Sequence, residues 1–197
     1  MSYFFCDSQR WFSGTLCCRY LVVRFGKLRV PLVKDGSVVA ADWHWALGFF
    51  TDGQFEVIGA WPDQGAVTGQ RIAVDLYNRG IERIKAAAAE GSVLDALGDL
   101  RLKVGKGTTV ELAESGAFGP RMRRAIRWTD AAGQHLQGRM SRVAKRQPPF
   151  ADPAAAADFI ARAFQRADRD LLRDRWDRKH PAPFGQRAFV ASLSASR

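Results

Sequence analysis

The sequence predicts an α/β fold of five strands flanked by helices, with the first three strands antiparallel and a C-terminal helical pair. Three observations lead there. Strand-forming residues dominate from Arg19 to Trp61, and two Asp-Gly pairs, Asp35-Gly36 and Asp52-Gly53, break them where tight turns need positive φ. After Pro62 the apolar spacing lengthens from two residues toward three or four. Beyond Gly119 two long amphipathic stretches follow, parted by Pro148-Pro149. With 197 residues, 47% of them apolar, the chain can fill one sizeable core.

The first strand, RYLVVRFGKLRVPLV, is rich in β-branched residues, with Gly26 expected as a bend or bulge and Pro31 suited to an edge. SVVAADWHWALGFFT and QFEVIGAW follow as the second and third strands. Trp43 and Trp45 alternate with His44, so both lie on one face, where core packing is expected ahead of base stacking. A helix is predicted from about Gln64 to Arg79, through Val67, Ile72, Val74, Leu76 and Tyr77, with Asn78-Arg79-Gly80 as its stop. RIKAAAAEG has alanine's helix preference, but its place between two helices suits a short buried strand. SVLDALGDL reads as a short helix capped by Ser92, and TTVELAES as the fifth strand.

From Gly119, Met122, Ala125, Ala132, Leu136, Met140 and Val143 trace the apolar face of a long helix that the proline pair ends. Asp152-Pro153 then opens another helix, with aspartate as N-cap and proline at the first helical position. Phe159, Ile160, Ala163, Phe164, Ala167 and Leu171 form its buried stripe. The expected organisation is an N-terminal extension over 1–18, a core over 19–150, a helix over 151–179 packed on that core, and a flexible tail over 180–197.

Charge narrows the class of partner. The chain carries a net +10 and a pI near 10.2, which favours a polyanion, because each neutralised phosphate releases counterions. Nucleic acid is the expected partner. Between Ala117 and Phe150 eight basic residues face Asp130 alone, so this segment supplies +7 of the total. Arg121, Arg124, Arg127, Arg139, Arg142, Lys145 and Arg146 are the candidate phosphate contacts, arginine forks being suited to phosphate oxygens. A solvated helix face is the plain alternative. In the last helix Arg166, Arg169, Arg173, Arg175 and Arg178 interleave with Asp168, Asp170, Asp174 and Asp177, so local ion pairs account for most of its charge.

No apolar run is long enough for a membrane span, and MSYFFCDSQRW lacks signal-peptide order, so a cytoplasmic protein is expected, nucleoid-associated if bound to DNA. Cys6, Cys17 and Cys18 are odd in number and are expected to be reduced, partly buried thiols rather than zinc ligands with His44. His44, His135 and His180 stand in unrelated segments. Ser13-Gly14-Thr15 is a weak nucleophile or phosphate-loop candidate, and Gly105-Lys106-Gly107-Thr108 lacks phosphate-loop spacing and reads as a solvated turn.

Several motifs point to one family. KDGSVV followed by WALGFFTDG and EVIGAW, then NRGIERI, then MSRVAKRQPPFADPAAAADFIARAFQRADRDL, together resemble the core of Mutator-type insertion-sequence transposases, from about Arg19 to Arg178. The resemblance implies a ribonuclease-H-like core with a mixed five-stranded sheet. It also implies that the family's N-terminal DNA-binding region and most of its helical insertion are missing. Enzymes of this DDE type hold two magnesium ions with three carboxylates, which activate the attacking oxygen and stabilise the leaving one. The first acid would fall at Val22, Val23 or Arg24, none of them acidic. Glu90 stands at the second place, and Gln134 occupies the third.

A degenerate triad of this kind implies a transposase-derived protein that binds DNA without cutting it and has no cofactor. Asp42, Asp75, Asp95, Glu114 and Asp130 are the carboxylates that a shift of alignment would bring in. The alternatives are an active, shortened transposase that uses Glu90 with Mg2+, and a structural subunit of a homo-oligomer or larger nucleoprotein assembly.

Overall fold

The computed structural model describes residues 13–51, 53–89, 93, 105–107 and 116–168. Strand β1 (Arg19–Lys34) turns through Asp35 and Gly36, both at positive φ (52° and 74°), into β2 (Ser37–Phe49), as the Asp-Gly pair predicts. β3 (Phe55–Pro62) returns antiparallel to β2. Gly53 at φ 92° helps to make that second turn, while Asp52 lies outside the described residues.

β1 pairs with β2 without interruption through Gly26 and Trp45, so the bend or bulge expected at Gly26 does not occur. The glycine is there for space: a Cβ at position 26 would stand 2.4 Å from the Trp45 indole. The register shift falls instead at Ala46/Leu47, between β2 and β3. Pro31 does face an open edge. Beyond the part of β1 that pairs with β4, the Phe150 N–H donates to the Pro31 carbonyl (3.0 Å) and the Phe150 carbonyl accepts from the Val33 N–H (2.8 Å). The Pro-Pro-Phe turn thus covers that edge as an isolated parallel bridge.

After β3 the Asp63 carboxylate accepts the Gly65 N–H (2.9 Å) and the Thr68 hydroxyl (3.1 Å), and a 3-10 turn leads into α1 (Thr68–Asn78). Its stop is the predicted one. Gly80, at φ 96°, donates to the Tyr77 carbonyl (3.0 Å) and Ile81 to Leu76 (3.1 Å), a Schellman closure. Of the five apolar residues read into this helix, Ile72 and Leu76 are buried while Val67, Val74 and Tyr77 are exposed.

β4 (Arg83–Ala88) is the strand expected of RIKAAAAEG and runs parallel to β1, its alanines buried. Sheet pairing overrides alanine's helix preference here. β5 (Gly105–Gly107) pairs parallel to β4, so these residues belong to the sheet and not to a solvated turn. The fifth strand expected at TTVELAES lies outside the described residues, as do the Ser92 cap, Leu171 and the tail. Strand order is β3-β2-β1-β4-β5, a mixed sheet in an α/β fold.

One sheet face packs on α1 through Tyr20, Val23, Phe25, Ile58, Ile72, Leu76 and Ile84. The other carries α2 (Pro120–Lys145) and α3 (Pro153–Ala167) over Val22, Leu28, Trp43, Trp45, Leu47 and Phe49. Both tryptophans are therefore core residues. The Asp152 cap forms as predicted, its Oδ1 accepting the Ala155 N–H at 2.8 Å. Cys17 and Cys18 are exposed rather than partly buried, since they precede β1 where nothing covers them among the described residues. No described helix is long and apolar enough to cross a membrane.

Candidate nucleic-acid interface

Helix α2 buries Met122, Ala125, Ile126, Ala132, Leu136, Met140 and Ala144 against the sheet. At 3.6 residues per turn its seven candidate contacts fall within an arc of about 120° on the opposite side. Arg121, Arg124, Arg127, Arg142, Lys145 and Arg146 are exposed, and Arg139 is half-buried. They form two groups, 121–127 and 139–146, with Gln134, His135 and Gly138 on the uncharged surface between them. Arg124 and Arg142 are separated by five turns, roughly 27 Å along the axis.

Local stability explains only the second group. Arg142 and Lys145 sit in the last helical turn, where the dipole favours cations, and Arg142 Nε also donates to the Gly138 carbonyl (3.1 Å). Arg121 and Arg123 lie in the first turn, with no acid beside them, where the dipole disfavours cations. Arg121, Arg124 and Arg127 are also like charges at three-residue spacing, which weakens a helix. Among the described residues no ion pair involves Arg121, Arg124, Arg127, Lys145 or Arg146.

Two of the three places where carboxylates are expected come together. Arg24 reaches from β1 to α2, where its Nε donates to Asp130 Oδ1 at 2.9 Å. Gln134 Nε2 donates to Asp130 Oδ2 at 2.8 Å. The guanidinium also lies over the Trp45 ring, 5.5 Å from its centroid, and Nη1 is buried without a hydrogen-bond partner among the described residues. Gly133 makes this crossing fit, because a Cβ there would stand 2.4 Å from Arg24 Cδ. Val22 and Val23 are wholly buried, on opposite faces of the sheet, and Glu90 lies outside the described residues.

The alternative carboxylates are tied to arginines. Asp42 is held by Arg29 through two hydrogen bonds (2.7 and 3.1 Å), Asp75 by Arg79 (3.4 Å), and Asp130 by Arg24; Asp95 and Glu114 lie outside the described residues. The Arg29 guanidinium holds the Asp42 carboxyl below its usual range. Among the described residues no three His, Cys, Asp or Glu side chains meet as a metal-binding group. Where Arg24 and Gln134 meet, the one described carboxylate, Asp130, already accepts from two donors and the place of the first acid holds a fixed positive charge, so these described residues do not fit a magnesium pair.

His44 is buried on the α1 face, its Nε2 3.3 Å from Asp63 Oδ2. Burial lowers its pKa despite the aspartate. Lys27 and Arg29 are absent from the sequence-based contacts; both are exposed on β1, on the sheet face opposite α2, where Lys27 lies 3.8 Å from Asp63 and Arg29 holds Asp42. Their signal is the alternation Lys27-Leu28-Arg29-Val30, one charged face and one buried face of a strand.

Set beside known protein families and curated protein sequences, the chain matches none, so the Mutator-type likeness rests on its motifs alone.

Proposed function

We propose that this protein binds nucleic acid, preferentially DNA, through the outward arc of α2, and does not cut it. The observation that carries this reading is the first group, Arg121, Arg124 and Arg127. Arg121 is an exposed cation in the first turn, where the dipole works against it, Arg124 and Arg127 repeat the like charge every three residues, and none of the three has an ion pair among the described residues. A face kept only for solubility would place such charges with the dipole or beside acids. Phosphates supply the missing anions.

A ribonuclease-H-like, transposase-derived core is part of the proposal. It is supported by β1 lying between antiparallel β2 and parallel β4, and by α2 running across the β1 position from which the first acid would project. Arg24 in that position, bonded to Asp130, supports the non-cutting reading.

One observation favours the enzyme instead: Asp130 is a carboxylate between two of the expected ligand places. Incubating labelled duplex with the full chain and magnesium or manganese separates the two readings. Shifted but intact duplex is expected. Cleavage that Asp130→Asn or Glu90→Gln abolishes would establish the enzyme, and failure to shift any duplex would remove the binding function.

A further inference from the structure

Strand β2 runs past the end of β3 over Ser37–Ala41. Pro62 is the last residue of β3 to pair, opposite Trp43; the Asp63 N–H then closes on the Asp42 carbonyl (2.8 Å) and the chain leaves for α1. Successive residues of an antiparallel strand turn their backbone groups to alternate sides. Lys34 and Ser37 pair across the tight turn, so Ser37, Val39 and Ala41 bond to β1, while Val38 and Ala40, in phase with Asp42, point away from it. The outward N–H and C=O groups of Val38 and Ala40 have no partner among the described residues. Both residues are exposed, Val38 to 62%. The other edge of the same hairpin is protected, since Pro31 offers no donor there and Phe150 bonds to the Pro31 carbonyl and the Val33 N–H. Along Ser37–Ala41 no charge, proline or bulge guards the edge, and such an edge is a template for another strand.

We propose that this edge pairs with the same edge of a second copy of the chain, antiparallel about a two-fold axis at Val39, so that two sheets become one. The edge complements itself in that register. Val38 of each copy stands opposite Ala40 of the other, and such a pair exchanges both N–H to C=O bonds, so every outward group is satisfied. Val38 lies beside Ala40 on one sheet face, and the two Val39 side chains meet on the other, removing exposed valine surface from water. The absence of charge lets two chains of net +10 approach here, and it gives a charged foreign segment nothing to be selected by. One short strand seam covers less than the roughly 800 Å² per partner of a standard interface, so the dimer is a reversible one. The contact uses neither α2 nor nucleic acid, and stands or falls apart from the binding function.

The test is sedimentation equilibrium of the full chain without nucleic acid, from about 1 μM to 1 mM. A reversible monomer–dimer equilibrium is expected. Ala40→Pro removes an N–H that β1 does not use, and should weaken the dimer roughly 5- to 100-fold through the donor lost from each copy. Val39→Lys and Val39→Glu each set like charges opposite one another and should be monomeric, while their equimolar mixture should dimerise again, which also shows that both variants are folded. Hydrogen exchange of the native chain needs no variant: the Val38 and Ala40 amides should be unprotected at the lowest concentration and slow as the dimer forms. A native chain that stays monomeric throughout, or a dimer in which these amides remain unprotected, would overturn the proposal. Protection of the same amides in the monomer would mean that a segment of the same chain holds the edge, and would overturn it equally.

Discussion

Helices α2 and α3 lie on the same face of the sheet and share one core, but they use charge differently. In α3 Arg162 pairs with Asp158 one turn earlier, so the helix neutralises that charge within itself. In α2 the one acid, Asp130, turns away to Arg24 on β1, and Arg121, Arg124, Arg127, Lys145 and Arg146 have no ion pair among the described residues. The difference teaches that α3 is held by what it buries, while α2 keeps a surface that its own stability does not require.

The largest effect should come from the buried side of that comparison. Phe164→Ala removes a fully buried ring that packs 5.9 Å from Trp45, and should lower stability by about 3–5 kcal/mol in urea unfolding. Two glycines in α2 give a sharper contrast. Gly133→Ala should destabilise by about 1–2 kcal/mol, because the new methyl collides with Arg24 and the gain in helix propensity offsets only part of the strain. Gly138→Ala meets nothing within 4 Å and should stabilise by about 0.5–1 kcal/mol. Equal effects at the two sites would mean that Arg24 does not cross beneath α2.

Acid should expose a weakness on the opposite sheet face. Burial depresses the His44 pKa in the folded state, with Lys27 acting in the same direction and Asp63 and Asp42 against it. The unfolded chain therefore binds the proton more readily. The contribution is fully present above about pH 6.5 and is lost as pH falls through the folded value. Chemical denaturation should show stability falling over that range, and His44→Gln should flatten the fall. The smallest effect is expected from Arg162→Ala, which should change stability by less than about 0.5 kcal/mol and leave duplex binding unaltered.

What was legible in the sequence is what neighbouring residues decide. The Asp35-Gly36 turn, the stop at Gly80, the Asp152 cap and the proline-terminated α2 each depend on a few adjacent residues, and each forms as read. The strand at Ala86–Ala88 was legible from its place between helices, against alanine's own preference. What stayed hidden depends on contacts across the fold. Gly26 looks like a bend until Trp45 is seen lying over it. The Arg24–Asp130 pair joins residues 106 positions apart, and Gly133 has no local reason to be small. The basic arc was readable from helical periodicity, but which strand α2 crosses was not.

The most direct test is an anisotropy titration of labelled duplex over a salt series, comparing the native chain with Arg121→Gln/Arg124→Gln/Arg127→Gln, alongside thermal unfolding of both. The native slope should be steep, and the triple variant should lose roughly 2.7 of it, three contacts at about 0.9 each. Its unfolding midpoint should rise slightly, since Arg121 lies in the first turn, where removing a cation is worth about 0.3–1 kcal/mol, and the like charges at three-residue spacing are removed with it. A native chain that does not bind, or a variant that binds with unchanged affinity and slope, would contradict the account.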